Sequence, residues 1–202
     1  MIAIITGDII GSGNHSSEAW LSVLKQYFVR FGESPTDWEI YRGDEFQLKI
    51  PQDRALSTAI YIKALLKSTK GLDARMGIGL GSETFVGVGV SESNGPAYQR
   101  SGRTFESLKD DKLNLTIATG HGFFDDTLNL MLRLALNFMD DWSPVSAEIV
   151  VLALDNPDAS QTEIAKRLNI QQSAVSQRQK RARLDLVLQL LEYYSKTLKE
   201  LK

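Results

Sequence analysis

The feature that most constrains the fold of this chain is a change of pattern at residues 140–144, Asp-Asp-Trp-Ser-Pro. Before it, short apolar runs alternate with segments of helical periodicity, and after it the apolar residues follow helical spacing alone. The charge changes at the same point: residues 1–145 carry 14 Lys and Arg against 18 Asp and Glu, whereas residues 146–202 carry 9 against 7. We therefore predict an α/β domain at 1–141 and a helical domain at 142–202.

The composition is that of an ordinary globular protein, with 43% hydrophobic and 24% charged residues. The chain contains no Cys, which excludes disulfides, Cys-ligated zinc, iron–sulfur clusters and thiol nucleophiles. The apolar start at Met1–Ile5 follows no basic residue and soon meets Gly7-Asp8, and no apolar run approaches the ~20 residues of a membrane span. We therefore expect a cytoplasmic protein without a membrane partner.

The first part of the chain alternates between two kinds of pattern. Short apolar runs bounded by Gly, Pro or acidic residues predict strands at Ile2–Ile10, Trp38–Tyr41, Phe46–Ile50, Ala74–Leu80, Phe85–Val90 and Leu113–Ala118. Apolar residues three and four apart predict helices at Ser16–Phe31, Arg54–Lys70, Pro96–Leu108 and Thr127–Met139. This order is typical of an α/β sandwich in which helices pack on an open sheet.

The second part predicts a helix-turn-helix. After a helix at Val145–Leu154, Ser160 and Glu163 have the spacing of a capping box and begin a second helix. Asn169 tolerates the left-handed conformation that a tight turn needs, and Ser173 is predicted to cap a third helix. Two short helices joined in this way place the second of them in the major groove of DNA.

This second helix carries the residue types that DNA recognition uses. Gln and Ser bond base edges, whereas Arg and Lys bind phosphates or guanine. The residues predicted to contact double-stranded DNA are Gln172, Ser173, Ser176, Gln177, Arg178, Lys180 and Arg181. A solvated basic helix in an ordinary bundle is the alternative. Residues 185–201 carry an apolar stripe at helical spacing, which either packs on its own domain or pairs with a second copy of the chain. Because helix-turn-helix modules usually bind DNA as dimers, we predict a homodimer.

Acidic residues in the first part predict a metal site. Asp8 follows the first strand, and Asp44 and Glu45 lie at the tip of the predicted hairpin. If the two strands are neighbours, these carboxylates converge at one edge of the sheet, where they suit Mg²⁺ or Mn²⁺. Acidic turn residues that bind no metal are the alternative. The loop at Gly11 and Ser12 either offers backbone amides to a phosphate or is only a turn.

Four motifs of the first part carry a resemblance to a known family. They are Asp8-Ile9-Ile10-Gly11-Ser12, Gly43-Asp44-Glu45, Arg75-Met76-Gly77-Ile78-Gly79-Leu80-Gly81 and Gly95-Pro96-Ala97-Tyr98-Gln99-Arg100-Ser101-Gly102-Arg103. In order and spacing, over roughly residues 2–120, they resemble the class III nucleotidyl cyclases. The resemblance implies a ferredoxin-like, cyclase-like palm.

The same resemblance implies a role for individual residues. Asp8 and Asp44 fall on the two metal-binding aspartates of the cyclases, and Arg103 falls on their transition-state arginine. Gln99 stands where the cyclases have an asparagine, and Ile40 where they have a purine-reading lysine. The resemblance therefore implies nucleotide binding, and these two differences favour binding over turnover.

A second resemblance covers nearly the whole chain. Its motifs are Gly7-Asp8-Ile9-Ile10, Gly43-Asp44-Glu45-Phe46-Gln47, Gly77-Ile78-Gly79, Gly95-Pro96-Ala97-Tyr98 and Gln161-Thr162-Glu163-Ile164-Ala165-Lys166-Arg167-Leu168. Together they are similar to the SatD family of small bacterial proteins. We predict a DNA-binding transcriptional regulator whose first domain senses a nucleotide or a divalent metal. A metal-dependent nucleotidyl cyclase or nucleotidyltransferase-like enzyme is the alternative.

Overall fold

The strands of the first part form a single mixed sheet. The structure is a computed structural model that describes residues 1–41 and 43–200. Its strands are β1 (Ile2–Ile10), β2 (Trp38–Tyr41), β3 (Glu45–Pro51), β4 (Asp73–Gly81) and β5 (Leu115–Ala118). Their order is β2-β3-β1-β4-β5, with β1 antiparallel to both β3 and β4 and with β5 parallel to β4. The predicted α/β architecture is confirmed at this level.

Helices pack on the sheet, and within the described residues every regular element after β5 is a helix. They are α1 (Glu18–Phe28), α2 (Ala55–Lys67), α3 (Pro96–Asp111), α4 (Gly122–Met139), α5 (Pro144–Asp155), α6 (Gln161–Leu168), α7 (Gln172–Ala182) and α8 (Leu184–Glu200). From residue 144 onward the elements are all helical, as the change of pattern predicts. Two residues of predicted elements, Arg42 in the hairpin turn and Leu201 in the last helix, lie outside the described residues.

The strand predicted at Phe85–Val90 is wrong. Phe85 forms one isolated bridge with Asn94, and the segment is otherwise a loop between β4 and α3. Gly87 and Gly89 weaken a strand here, and Val86 and Val88, which would share one face of it, are 64% and 79% exposed. Because a strand is stabilised by packing of one face, this run stays irregular.

The two faces of the sheet have different coverings. Alternate residues of β1, such as Ala3 and Ile5, enter the main hydrophobic core beneath α1 and α2. The intervening residues face α3, whose Ser101 hydroxyl donates to Thr6 Oγ1 at 2.7 Å. Side chains along a strand point alternately to opposite faces, so Asp8 lies on the α3 face as well. Thr6 and Asp8 therefore both lie on the face of the sheet that α3 covers.

Glycines in β4 let α3 approach the sheet closely. A Cβ built on Gly79 would lie 2.2 Å from the carbonyl oxygen of Ala97 and 2.3 Å from the amide nitrogen of Ser101. Gly77 is equally crowded, with the amide nitrogen of Phe105 at 2.5 Å. The helix backbone thus occupies the space that side chains would fill.

One hydrophobic core runs from the sheet into the C-terminal helices. Helix α2 packs against β1 and β4 on one side and against α5 on the other, and ten of its thirteen residues are buried. The same core includes Ile164 of α6, Val175 of α7 and Tyr194 of α8. The predicted division after residue 141 stays a prediction, since it lies within this continuous packing.

One buried ion pair lies within the α/β part, and a second group of polar contacts joins that part to α5. The Lys63 ammonium on α2 is fully buried, 2.7 Å from Asp73 and 2.6 Å from Asp140. At the end of α5, Asp155 accepts hydrogen bonds from Arg30 at 2.6 Å and from the hydroxyl of Tyr61 at 2.7 Å. The two contacts of Asp155 hold the end of α5 against the α/β part.

Candidate nucleic-acid interface

The predicted capping box is present at the start of α6. The Ser160 hydroxyl accepts from the amide of Glu163 at 3.3 Å, and the Glu163 carboxylate accepts from the amide of Ser160 at 2.7 Å. The hydrogen bonds from Ser160 lower the pKa of the Glu163 carboxyl. The amides of Ser160 and Glu163, which have no acceptor within the helix, are thus both hydrogen-bonded, and α6 begins at a defined residue.

A tight turn joins α6 to α7. Asn169 has a φ of 52°, in the left-handed region, as its residue type predicts. The amide of Ile170 donates to the carbonyl of Ala165 at 3.0 Å, and the Ile170 side chain packs against the core. The small buried Ala165 leaves room for α7 to cross α6 closely.

The start of α7 differs from the prediction in one respect. Gln171, and not Ser173, is the N-cap residue, with φ −74° and ψ 147° and no side-chain cap. The turn ends at Ile170, whose side chain packs against the core, and α7 begins directly after Gln171. Ser173 consequently lies in the first helical turn.

Helix α7 has one buried face and one solvent face. Val175 and Ala182 are buried, and the indole N–H of Trp142 donates to the carbonyl of Ala182 at 2.9 Å. The predicted DNA-contacting residues that are exposed are Gln172, Ser173, Ser176, Gln177, Lys180 and Arg181. The seventh, Arg178, is partly buried and lies 3.3 Å from the carboxylate of Glu148 on α5. All seven residues lie on α7; six of them face solvent, and Arg178 is turned toward α5.

Sequence reasoning missed two residues of this region, Gln161 and Gln179. The Gln161 side chain donates to Gln179 at 2.7 Å and accepts from Gln172. Gln161 and Gln172 are the first residues of α6 and α7, and this matched position is the signal that could have identified Gln161.

The acidic residues of the sheet have internal partners. Asp8 forms two hydrogen bonds with the Arg75 guanidinium, its cross-strand neighbour on β4. The Asp44 carboxylate accepts from the hydroxyl of Ser12, and its carbonyl accepts from the amide of Ile9 at 3.2 Å. Asp8 is also paired with Glu45 in the register of β1 and β3. The structure thus places the three acids around one end of the sheet.

The other residues predicted to bind a nucleotide or metal are arranged differently. Gly11 has a φ of 84°, and Ser12 begins a short 3₁₀ turn beside Asp44. Gln99 and Arg103 are exposed on α3, where the Gln99 amide lies 3.5 Å from Asn94. Within residues 1–41 and 43–200, no group of three or more His, Asp or Glu side chains is arranged to hold a metal ion. The predicted Mg²⁺ or Mn²⁺ stays a prediction.

Comparison with known protein families identifies the helical part. The family described as Sigma-70, region 4, matches residues 139–187, which extend from the last residue of α4 into α8 and include α5, α6 and α7. No curated protein matches the chain. The match covers about a quarter of the chain and supports a C-terminal helix-turn-helix that binds DNA. The match agrees with the prediction of a C-terminal helix-turn-helix and of DNA as its partner.

Membrane insertion has no support in the helices. Among the helices in the described ranges, none is both long and apolar enough to cross a bilayer.

Proposed function

We propose that this chain is a transcriptional regulator that binds double-stranded DNA with α7 in the major groove. The observation that carries the proposal is the arrangement of α7. Its apolar residues Val175 and Ala182 are buried, while six polar and basic side chains face solvent. The match to Sigma-70, region 4, supports the same helix pair as the DNA-binding element.

The charge distribution favours approach of DNA from this side. The chain as a whole carries a formal charge of −2. The cations near the helix pair are the exposed residues Lys166, Arg167, Lys180, Arg181 and Arg183. An acidic protein with a local basic surface binds phosphates there and repels them elsewhere.

Fluorescence anisotropy of the whole chain against duplex DNA from its own upstream region, across a salt series, tests this proposal. The double variant Lys180→Ala/Arg181→Ala should weaken binding and reduce the salt slope by about 2, because two phosphate contacts are lost. The matched control is Lys25→Ala/Lys109→Ala, which removes the same charge from exposed positions on α1 and α3. Equal affinity and slope in both variants would reject α7 as the DNA-binding helix.

We further propose that the α/β part is a cyclase-like palm that binds a nucleotide or a divalent cation as a signal. The order β2-β3-β1-β4, with α1 and α2 as the crossing helices, is that of a ferredoxin-like unit and supports this assignment. The resemblance to the SatD family points to the same combination of domains in a cytoplasmic bacterial protein. Helix α2, which touches both the sheet and α5, connects the two parts.

The alternative activity is that of a metal-dependent cyclase or nucleotidyltransferase. It is favoured by the position of Asp8 and Asp44 at one end of the sheet. The Arg75 guanidinium, which neutralises Asp8, weighs against metal-dependent turnover. Thermal unfolding with Mn²⁺, Mg²⁺ and nucleoside triphosphates, together with assays for turnover, separates the two. A stabilisation that Asp8→Asn removes, without turnover, supports the sensor; turnover that Asp8→Asn abolishes supports the enzyme.

We propose a homodimer as the DNA-binding form. Two half-sites about 34 Å apart are read by two copies related by a twofold axis. A groove of about 470 Å³ between α4 and α8 is apolar and open, and Leu134 on its wall is 63% exposed. Analytical ultracentrifugation should show a dimer that Leu134→Glu dissociates. A monomer at all concentrations would contradict it.

A further inference from the structure

Three glutamine amides form a hydrogen-bonded chain at the start of the helix pair. The amide nitrogen of Gln172 donates to the Gln161 oxygen, and the amide nitrogen of Gln161 donates to the Gln179 oxygen at 2.7 Å. Gln161 begins α6, Gln172 begins α7, and Gln179 lies two turns further along α7. These hydrogen bonds therefore hold the exposed side chain of Gln172 against Gln161, a partly buried residue of the neighbouring helix α6.

The hydrogen-bonding capacity of Gln172 decides what remains available. A glutamine amide has two N–H donors and one carbonyl oxygen. One N–H of Gln172 is used by Gln161. The exposed side chain thus keeps one N–H donor and its carbonyl oxygen for another molecule.

We propose that Gln172 reads an A·T base pair in the major groove and that Gln161 is the positioning residue that orients it. The inference rests on the proposed DNA-binding function. In the major groove adenine presents an N6 amino donor beside an N7 acceptor, which are the complements of the carbonyl and the free N–H of Gln172. Guanine presents two acceptors at the same edge, so the orientation held by Gln161 disfavours it.

The network also explains why Gln172 is suited to this role more than the other exposed amide of α7. Long side chains lose rotamer freedom on binding, and ordering them beforehand reduces that loss. Gln172 is ordered by Gln161, which is itself held by Gln179. It also lies in the first turn of α7, the part of a recognition helix that enters the groove.

Selection of binding sites from a random duplex library tests the inference with the whole chain. The wild type should select A·T at one position of each half-site, with about 5- to 150-fold discrimination. Gln172→Ala should lose the preference at that position alone, and Gln172→Arg should change it to G·C, because Arg bonds guanine O6 and N7. Gln161→Ala should weaken the same preference and leave the other positions unchanged.

The control variant is Gln26→Ala, an exposed glutamine on α1 that lies outside the helix pair and outside the groove between α4 and α8. It should select the wild-type site. Circular dichroism of each variant confirms folding. If the wild type selects no sequence and binds no duplex, the proposed function fails and this inference fails with it. If the wild type selects a site that Gln172→Ala and Gln172→Arg both retain, DNA binding stands and the assignment of Gln172 is overturned.

Discussion

The polar side chains at the end of the sheet and those on α7 differ in where their partners lie. Near the sheet, Asp8 bonds Arg75, Asp44 bonds Ser12, and Thr6 accepts from Ser101. On α7 the predicted contact residues are mostly exposed, and the one that is partly buried, Arg178, is ion-paired with Glu148. A group with an internal partner stabilises the fold, whereas an exposed donor or acceptor is available to another molecule.

This difference separates two roles that similar residue types can have. Replacing polar residues of the α/β part should lower the free energy of unfolding. Replacing those of α7 should leave the stability nearly unchanged and lower DNA affinity. Measuring both quantities for every variant therefore tests the comparison directly.

The largest expected loss of stability is that of Lys63→Met. The substitution keeps an apolar stem but removes the fully buried ammonium between Asp73 and Asp140. We expect a loss of about 3 kcal/mol, at the lower end of the range for a broken buried pair, because Lys67 still contacts Asp73. Urea unfolding measures it, with Lys180→Ala as the control that should change stability by less than about 0.5 kcal/mol. A loss below about 1 kcal/mol would show that the ion pair contributes little to holding α2 against β4 and the end of α4.

Gly79→Ala should destabilise the sheet by about 2 kcal/mol, because the new Cβ meets the α3 backbone at 2.2 Å. The matched control is Gly102→Ala. Gly102 lies in α3 with no atom within 4 Å of its ideal Cβ, so alanine there should stabilise by about 0.5–1 kcal/mol through helix propensity. Thermal unfolding of the two variants should give shifts of opposite sign. Shifts of the same sign would mean that α3 has room to move away from β4.

Ser160→Ala should cost about 1 kcal/mol, the usual effect of removing a helix cap. Ser173→Ala, on the exposed first turn of α7, should cost less than 0.5 kcal/mol, since Gln171 is the N-cap. Chemical unfolding compares the two serines, and anisotropy should show the reverse order for DNA affinity. Equal stability losses would restore Ser173 as a capping residue.

The smallest effect is expected at alkaline pH. Burial raises the pKa of Tyr27 to about 12, above its ordinary value of 10.0. A folded-state pKa above the unfolded value gives stability that is present below pH 10 and lost as pH rises toward 12. At about pH 10.5 this tyrosine should account for a loss of less than about 1 kcal/mol. Unfolding of wild type and Tyr27→Phe between pH 9 and 11 measures it, and identical pH profiles would contradict the assignment to Tyr27.

Much of the fold follows from local patterns, but the contacts that define the two regions do not. Periodicity and capping residues predict most elements, including the turn at Asn169. They wrongly predict a strand at Phe85–Val90, where Val86 and Val88 stay exposed. They also do not reveal that Arg75 lies opposite Asp8 or that Gln161 bonds Gln172. Those pairs depend on strand register and on the angle between two helices, which only the assembled chain determines.

The position of α2 has a consequence for genetics. This helix is buried toward the sheet on one side and toward α5 on the other, and it carries none of the residues predicted to touch DNA. A random screen for chains that no longer bind their operator should therefore recover many substitutions in residues 55–67. A second substitution that raises the overall stability should restore DNA binding to these α2 variants. The same second substitution should not restore binding to variants that have lost a DNA contact on α7.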